Sequence, residues 1–184
     1  MSDTPKLVHW DDSRYRGKGT PKVKYLLWHC TAGASAQSSR EWLNRRNEDG
    51  TDLPPAKRAS YSYIIDHDGT IYRHTPLTHI ANHAGKSQYP VPASGVQAGK
   101  SMNGTSLGIA FANMNDGTPL TAAQLKSARW LAATLMKRFS VPASHNLGHL
   151  EVAPGRKTDP RPDTLNMDYW RNECAKLVRD GYTG

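Results

Sequence analysis

The stretch that most constrains the fold lies near the C-terminal end: Asn146-Leu147-Gly148-His149-Leu150-Glu151-Val152-Ala153-Pro154-Gly155-Arg156-Lys157-Thr158-Asp159-Pro160. It places a histidine before a Pro-Gly turn, then a lysine and an aspartate two residues apart. In extended chain, side chains at i and i+2 share a face, so Lys157 and Asp159 are expected to look into one site. A neutral imidazole and a carboxylate are good zinc ligands, and an ammonium beside them can stabilise an oxyanion. Two ligands fall short of the three that catalytic zinc usually takes. The fold must therefore carry a third donor to this block from elsewhere, and the candidate is His29.

His29 stands in Val23-Lys24-Tyr25-Leu26-Leu27-Trp28-His29-Cys30-Thr31-Ala32-Gly33, an apolar run of strand-favouring residues that ends in small ones. It reads as a buried strand whose polar tip opens into a site. Alone, His29 reads equally well as a hydrogen-bonded core histidine; paired with the late block it reads as a ligand. Cys30, the next residue, is expected on the opposite face, in the core. The chain has 8 histidines, so competitors need excluding. His145 and His149 have the spacing of a helical two-histidine zinc site. No glutamate follows His145, however, and Gly148 in its apolar context favours a strand, over which four residues span ~13 Å. His145 is expected to be structural. His67, His74 and His79, in and just beyond a turn, read as solvated or packing residues.

Together these segments resemble the zinc amidases that cut the N-acetylmuramoyl–L-alanine bond of peptidoglycan, a family of phage endolysins, bacterial amidases and animal peptidoglycan recognition proteins. The likeness rests on Leu27-Trp28-His29, on residues 61–72, and on residues 148–160, which read G-H-x-x-x-A-P-G-R-K-x-D-P. Between them stand His83-Ala84-Gly85 and Asn103-Gly104-Thr105-Ser106-Leu107-Gly108-Ile109, so it covers most of the chain from about residue 23 to the last helix. The resemblance implies a single α/β (α+β) domain with a mixed central sheet flanked by helices. It implies Zn2+ held by His29, His149 and Asp159, with Lys157 holding the oxyanion. Tyr61 matches a tyrosine that assists catalysis in phage members. His83 and Asn103 are candidates for the substrate groove, His83 reading equally as a packing residue. One departure matters: amidases that recycle anhydro-muropeptides carry a glutamate directly after the isoleucine of an S-x-G-I strand, where this chain has Ala110. The residue set therefore resembles the lytic phage branch, with peptidoglycan of the cell wall as substrate and aspartate where some relatives use cysteine as third ligand. The alternatives are a cytoplasmic recycling amidase, a secreted antibacterial amidase of identical chemistry, and a non-catalytic peptidoglycan-binding protein. Members of the last kind typically lack a zinc ligand, whereas all three stand here.

A chain of 184 residues suits one domain with a real core. No apolar run approaches the ~20 residues of a transmembrane helix. Met1-Ser2-Asp3-Thr4-Pro5-Lys6-Leu7-Val8 has no apolar core of a signal peptide. Synthesis in the cytoplasm and action on the wall after release are expected, as a monomer. The net charge of +8, from 24 Lys and Arg against 16 Asp and Glu, favours polyanionic partners. The basic residues are dispersed and no nucleic-acid-binding motif is present, so an anionic envelope is expected rather than a specific nucleic acid. Cys30 and Cys174 are expected as buried free thiols in preference to a disulfide.

In chain order, residues 1–22 read as a polar, irregular arm pinned by Trp10 and Tyr15, ahead of a catalytic domain over 23–184. Ser38-Ser39-Arg40-Glu41 resembles a capping box opening a helix through about Asn47. Two β-rich runs, 61–65 and 70–73, flank His67-Asp68-Gly69 and predict a hairpin. Residues 86–104, beginning Lys86-Ser87-Gln88-Tyr89-Pro90-Val91-Pro92-Ala93, form a long Gly/Pro/Ser-rich loop expected to rim the groove. A strand follows over 106–112. Thr121 with Gln124 forms a second capping box, and Leu125, Ala128, Leu131, Ala132, Leu135 and Phe139 share one helical face. Residues 141–149 return to the sheet. Met167, Trp170, Cys174, Leu177 and Val178 mark a final amphipathic helix closed by Gly181.

Overall fold

In the computed structural model, which describes residues 4–88, 91 and 95–182, eight strands and four α-helices follow in order among those residues. They are β1 Leu7–His9, β2 Arg16–Gly17, β3 Tyr25–Cys30, α1 Ala36–Leu43, β4 Tyr63–Ile65, β5 Ile71–Arg73, β6 Ile80–Ala81, β7 Ser106–Phe111, α2 Ala122–Phe139, β8 Asn146–Gly148, α3 His149–Val152 and α4 Met167–Arg179. Six strands make one mixed sheet in the order β1-β5-β4-β7-β3-β8, and β2 pairs with β6 in a separate ribbon. Only β4 and β5 run antiparallel within the large sheet; its other neighbours are parallel. This is the mixed, helix-flanked sheet that the sequence predicts.

The two central strands, β3 and β7, are buried along their whole length, as strands covered on both faces must be. Alternation then divides their side chains. Leu26 and Trp28 of β3, with Leu107, Ile109 and Phe111 of β7, face α2 and α4 and pack with Leu131, Leu135 and Trp170. Trp28 lies 5.6 Å from Phe111 and edge-on to Trp170 at 4.9 Å. Tyr25 and Leu27 face the other way, into a smaller cluster with Val96, Met102, Leu147 and Val152. His29 shares that second face, and so do Ser106, Gly108 and Ala110 of β7. Cys30 falls on the helix side by parity. Both cysteines are buried and free, and burial pushes each thiol up to about 12.

The helix α2 begins where expected: Thr121 accepts from Gln124 N and the Gln124 side chain reciprocates. The predicted start of α1 is corrected by three residues. Ser35 is the N-cap, its hydroxyl accepting from Ser38 N at 3.0 Å while Ser38 Oγ accepts from Ser35 N. A serine closes the box in place of the usual Glu or Gln, so the Ser38–Glu41 spacing was a false register, and the helix ends at Leu43 rather than near Asn47. The hairpin forms between β4 and β5. Its Gly69 has φ +83, and a Cβ there would lie 2.8 Å from Ala123 O, so the turn needs glycine both for its backbone and for its seat against α2. In α4 Met167, Trp170 and Cys174 are buried, whereas Val178 is 60% exposed beyond the packed face.

The N-terminal segment is less irregular than its composition suggests. It is pinned as expected, with Trp10 stacked on Tyr72 at 4.1 Å and Tyr15 Oη donating to Arg45 O. It also adds β1 to the sheet edge and β2 to the ribbon, because backbone donors of β5 and β6 lie beside it. Of the long loop, residues 89, 90 and 92–94 lie outside the described residues. Much of the rest folds over the second core rather than along a groove: Val96 and Met102 are buried, and Gln88 N donates to Val152 O.

One buried bond fastens β8 to β3. Trp28 Nε1 donates to Asn146 Oδ1 at 3.0 Å, and Asn146 Nδ2 donates to Ala143 O. Asn146→Ala orphans the indole N–H inside the core, a loss of about 1–3 kcal/mol. The melting temperature should fall by roughly 3–10 °C, which differential scanning calorimetry would read; an unchanged value would show that the bond carries no net stability.

Candidate metal centre

Parallel pairing of β3 with β8 sets Trp28 opposite Gly148, so the next residue on each strand, His29 and His149, arrives at the same sheet end. His149 opens α3, whose start is held by Glu151 accepting from Gly148 N at 2.8 Å and by Arg171 of α4 donating to Glu151 at 2.9 Å. The chain turns at Pro154-Gly155 and runs back, and Leu150 N donates to Asp159 O at 2.8 Å. Asp159 thereby faces both rings.

Three donor atoms converge. His29 Nδ1 lies 3.0 Å from His149 Nδ1 and 3.1 Å from Asp159 Oδ2, and His149 Nδ1 lies 3.3 Å from the same oxygen. A tetrahedron of ~2.0–2.1 Å zinc bonds has edges of roughly 3.3–3.4 Å, so the triangle matches one face of such a site with little adjustment. The donor set suits zinc chemically as well. Burial, followed by the neighbouring His149, pushes His29 down to about 4, which keeps it in the neutral ligand form at pH 7. Burial works against ionisation of Asp159, but the His149 and His29 rings set against its oxygens prevail and hold its carboxyl far below the usual range. Among the described residues, these three form the one cluster of His, Cys, Asp or Glu with metal-ligand geometry.

The remaining predicted residues surround this cluster. The Tyr61 ring lies 5.1 Å from that of His29, and its backbone N–H is donated to His74 Nδ1 at 3.4 Å. Burial, then the charge of Asp159, raises its phenol well above the ordinary value, so it stays protonated. Lys157 is half-buried, near enough for its charge to act on His29. It lines a groove of about 730 Å³ together with His83, Asn103, Trp42, Arg45, Arg58 and Arg156. His83 borders that groove and packs on His29, Nδ1 to Nε2 at 3.1 Å. Asn103 Oδ1 accepts from Ala84 N and Gly85 N at 2.9 Å each, so it clips the His83 turn. His145 sits outside the cluster, bonded to Lys24 O. His67 is exposed against Ala34 O, His79 is bonded to Thr78, and His74 is buried under Tyr61.

Sequence reasoning passed over Arg156, although it stands in the late block. Its guanidinium donates to Ala84 O at 2.9 Å and Lys86 O at 3.2 Å, joining that block to the His83 turn. Trp42, Arg45 and Arg58 carry no sequence signal that separates them from ordinary surface residues. A second cavity of similar size, between α2 and α4, is lined by Ala133, Met136, Val141 and Val178 on the far side of the sheet and holds no ligand cluster.

A family described as N-acetylmuramoyl-L-alanine amidase matches residues 19–162. The chain is 35% identical over 99 residues to the 1,6-anhydro-N-acetylmuramyl-L-alanine amidase AmpD of Enterobacter cloacae, covering 54% of this chain and 49% of that protein. It is 26% identical over 160 residues to the N-acetylmuramoyl-L-alanine amidase AmiD of Escherichia coli K12, covering 83% of this chain and 54% of that one. The chain thus spans about half the length of the curated relatives it matches. Among solved structures it is similar in fold to a selenomethionine derivative of AmpD, with TM-score 0.66 and 23% identity over 93% of both chains. It is equally similar to a mutant endolysin from Bacillus subtilis, with TM-score 0.66 and 22% identity over 93% of this chain and 99% of that one.

Zinc at about 100 times its Kd should stabilise the metal-stripped protein by about 2.7 kcal/mol, seen as a rise in melting temperature. Asp159→Ala leaves two donors and should lose most of that rise while still folding. A variant stabilised by zinc as strongly as the wild type would remove Asp159 from the ligand set.

Proposed function

The chain belongs to the N-acetylmuramoyl-L-alanine amidase family, and we propose that it hydrolyses the amide between the lactyl group of N-acetylmuramic acid and L-alanine in peptidoglycan. The observation that carries this reading is the convergence of His29, His149 and Asp159 within 3.0–3.3 Å, with the Tyr61 ring beside that of His29 and with Lys157 and His83 on the wall of the adjoining groove.

An amide carbonyl is a poor electrophile and neutral water a poor nucleophile. His29, His149 and Asp159 would hold a zinc ion, which would supply Lewis acidity and lower the pKa of a bound water to about 7. The protein's own groups do the rest. As water adds to the carbonyl carbon, negative charge gathers on the carbonyl oxygen, and we assign the Lys157 ammonium to donate to it. Tyr61, kept protonated by burial, offers a neutral hydroxyl to orient the water or to bond the same oxygen. The C–N bond then breaks and the amine of L-alanine leaves with a proton. The described lining of the groove includes Arg45, Lys57, Arg58, Arg156 and Lys157 and no carboxylate, which suits a stem peptide carrying free carboxylates. A non-catalytic binding role is disfavoured by the complete ligand set.

Within this reading the finer role is lysis of intact wall after release from the cytoplasm, the +8 charge favouring an anionic envelope. Ala110 supports it. This residue pairs with His29 across the β3–β7 ladder and is fully buried, so a methyl group stands where recycling enzymes place a carboxylate. The identity to AmpD favours a second reading, recycling of anhydro-muramoyl peptides.

Two measurements test these statements. Lys157→Met should keep zinc affinity and melting temperature while turnover on a soluble muropeptide falls about 10²–10³-fold, the usual effect of losing one oxyanion donor. An unchanged rate would return Lys157 to the groove wall. Turnover on polymeric peptidoglycan and on purified anhydro-muramoyl peptide, at equal bond concentration, separates the two roles. Lysis requires strong action on the polymer; a clear preference for the anhydro fragment supports recycling instead.

A further inference from the structure

The two histidines of the metal centre are held differently. His149 Nε2 is buried and has no hydrogen-bond partner among the described residues, so that ring is placed by the backbone around it and by Asp159. His29 has a partner on its far nitrogen. We propose that His83 is a positioning residue for the metal centre: it accepts the His29 Nε2 proton and thereby fixes His29 in the one tautomer whose Nδ1 can bind a cation.

The donors and acceptors around His29 leave one assignment of protons. His29 Nδ1 points at His149 and Asp159, so as a ligand it carries a lone pair and the ring proton resides on Nε2. That N–H lies 3.1 Å from His83 Nδ1, with the two rings at 90°. His83 Nδ1 therefore accepts, and its own proton sits on Nε2, which lies 3.3 Å from Ser106 Oγ. The Ser106 hydroxyl passes its hydrogen to Met102 O at 2.5 Å. Every group in the series donates once, and the series ends on a carbonyl, which can only accept. No other placement of protons leaves His29 Nδ1 unprotonated with all of these contacts made. His29 is 0%, His83 8% and Ser106 1% exposed, so bulk water cannot readily substitute for a missing link.

The sheet is shaped for this ring. Gly108 stands between Ser106 and Ala110 on the site face of β7, and a Cβ on it would lie 2.4 Å from His83 Cγ and 2.8 Å from His83 Cβ. Glycine is thus what lets the imidazole lie on the strand. From the other side, Asn103 holds Ala84 and Gly85, and Arg156 of the ligand-bearing block holds Ala84 O.

The inference rests on the metal centre, not on the reaction, so its test needs no substrate. Zinc affinity is measured by competition with a chromophoric chelator for the wild type, His83→Leu, His83→Asn and Gly108→Ala. Partners of this kind typically contribute 10–100-fold to affinity. His83→Leu removes the acceptor and Gly108→Ala displaces an intact imidazole, so both should weaken binding by that factor. His83→Asn, whose Oδ1 can take the place of Nδ1, should stay within a few-fold of wild type. A leucine variant that binds zinc like the wild type, or an asparagine variant as weak as the leucine one, overturns the proposal. The wild-type protein gives an independent check through imidazole ¹⁵N NMR of the zinc-loaded form. Nε2–H tautomers at both His29 and His83 are required, and Nδ1–H at His83 overturns it. Wild type without zinc affinity overturns both this proposal and the metal reading, whereas zinc binding without amidase activity overturns only the proposed function.

Discussion

Two ring nitrogens and a carboxylate oxygen within 3.0–3.3 Å of one another, in a pocket largely closed to water, set the problem that the rest of the architecture solves. Their lone pairs repel unless a cation or a proton lies between them, so the arrangement persists only when the scaffold holds each donor from outside. Three separate devices do this. Strand pairing fixes His29, the Gly148–Glu151–Arg171 contacts fix the helix that begins at His149, and the Leu150–Asp159 backbone bond fixes the returning chain. Each of these contacts helps to set the distance between donors.

The central strands show how one sheet serves a core and a site at once. On the helix side, β3 and β7 carry large apolar side chains that lock against α2 and α4. On the site side, β7 carries Ser106, Gly108 and Ala110, which leave room for the histidine rings. Alternation along a strand makes this division possible without any irregularity in the backbone. The stability of the sheet is thus generated on one face and used on the other.

Charge follows a similar logic. The Lys and Arg residues are scattered through the sequence and suggest only a general attraction to polyanions. Folding gathers Arg45, Lys57, Arg58, Arg156 and Lys157 around one groove beside the metal centre. A dispersed excess of positive charge becomes a local field over that groove.

What the sequence determined by itself is what local spacing can encode. The face shared by Lys157 and Asp159, the hairpin at Asp68-Gly69, the Thr121–Gln124 cap and the apolar stripe of α2 depend on residues a few positions apart, whose geometry is set by strand, turn and helix periods. The late block also announced that a distant donor was needed, and His29 was legible as that donor only when paired with that block. Local spacing failed where two registers competed, as at α1, where a Ser35–Ser38 pair closes the box in place of Ser38 and Glu41. It also failed wherever a backbone partner came from far away. The strand made by Leu7–His9 exists because β5 leaves an edge open to it. The positions of His83 and Asn103, one on a ligand and the other clipping a turn, and the grip of Arg156 on Ala84 were decided only by the tertiary structure. A hydrogen bond between groups 54 or 72 residues apart has no period that a sequence can display; it follows from which elements pack together.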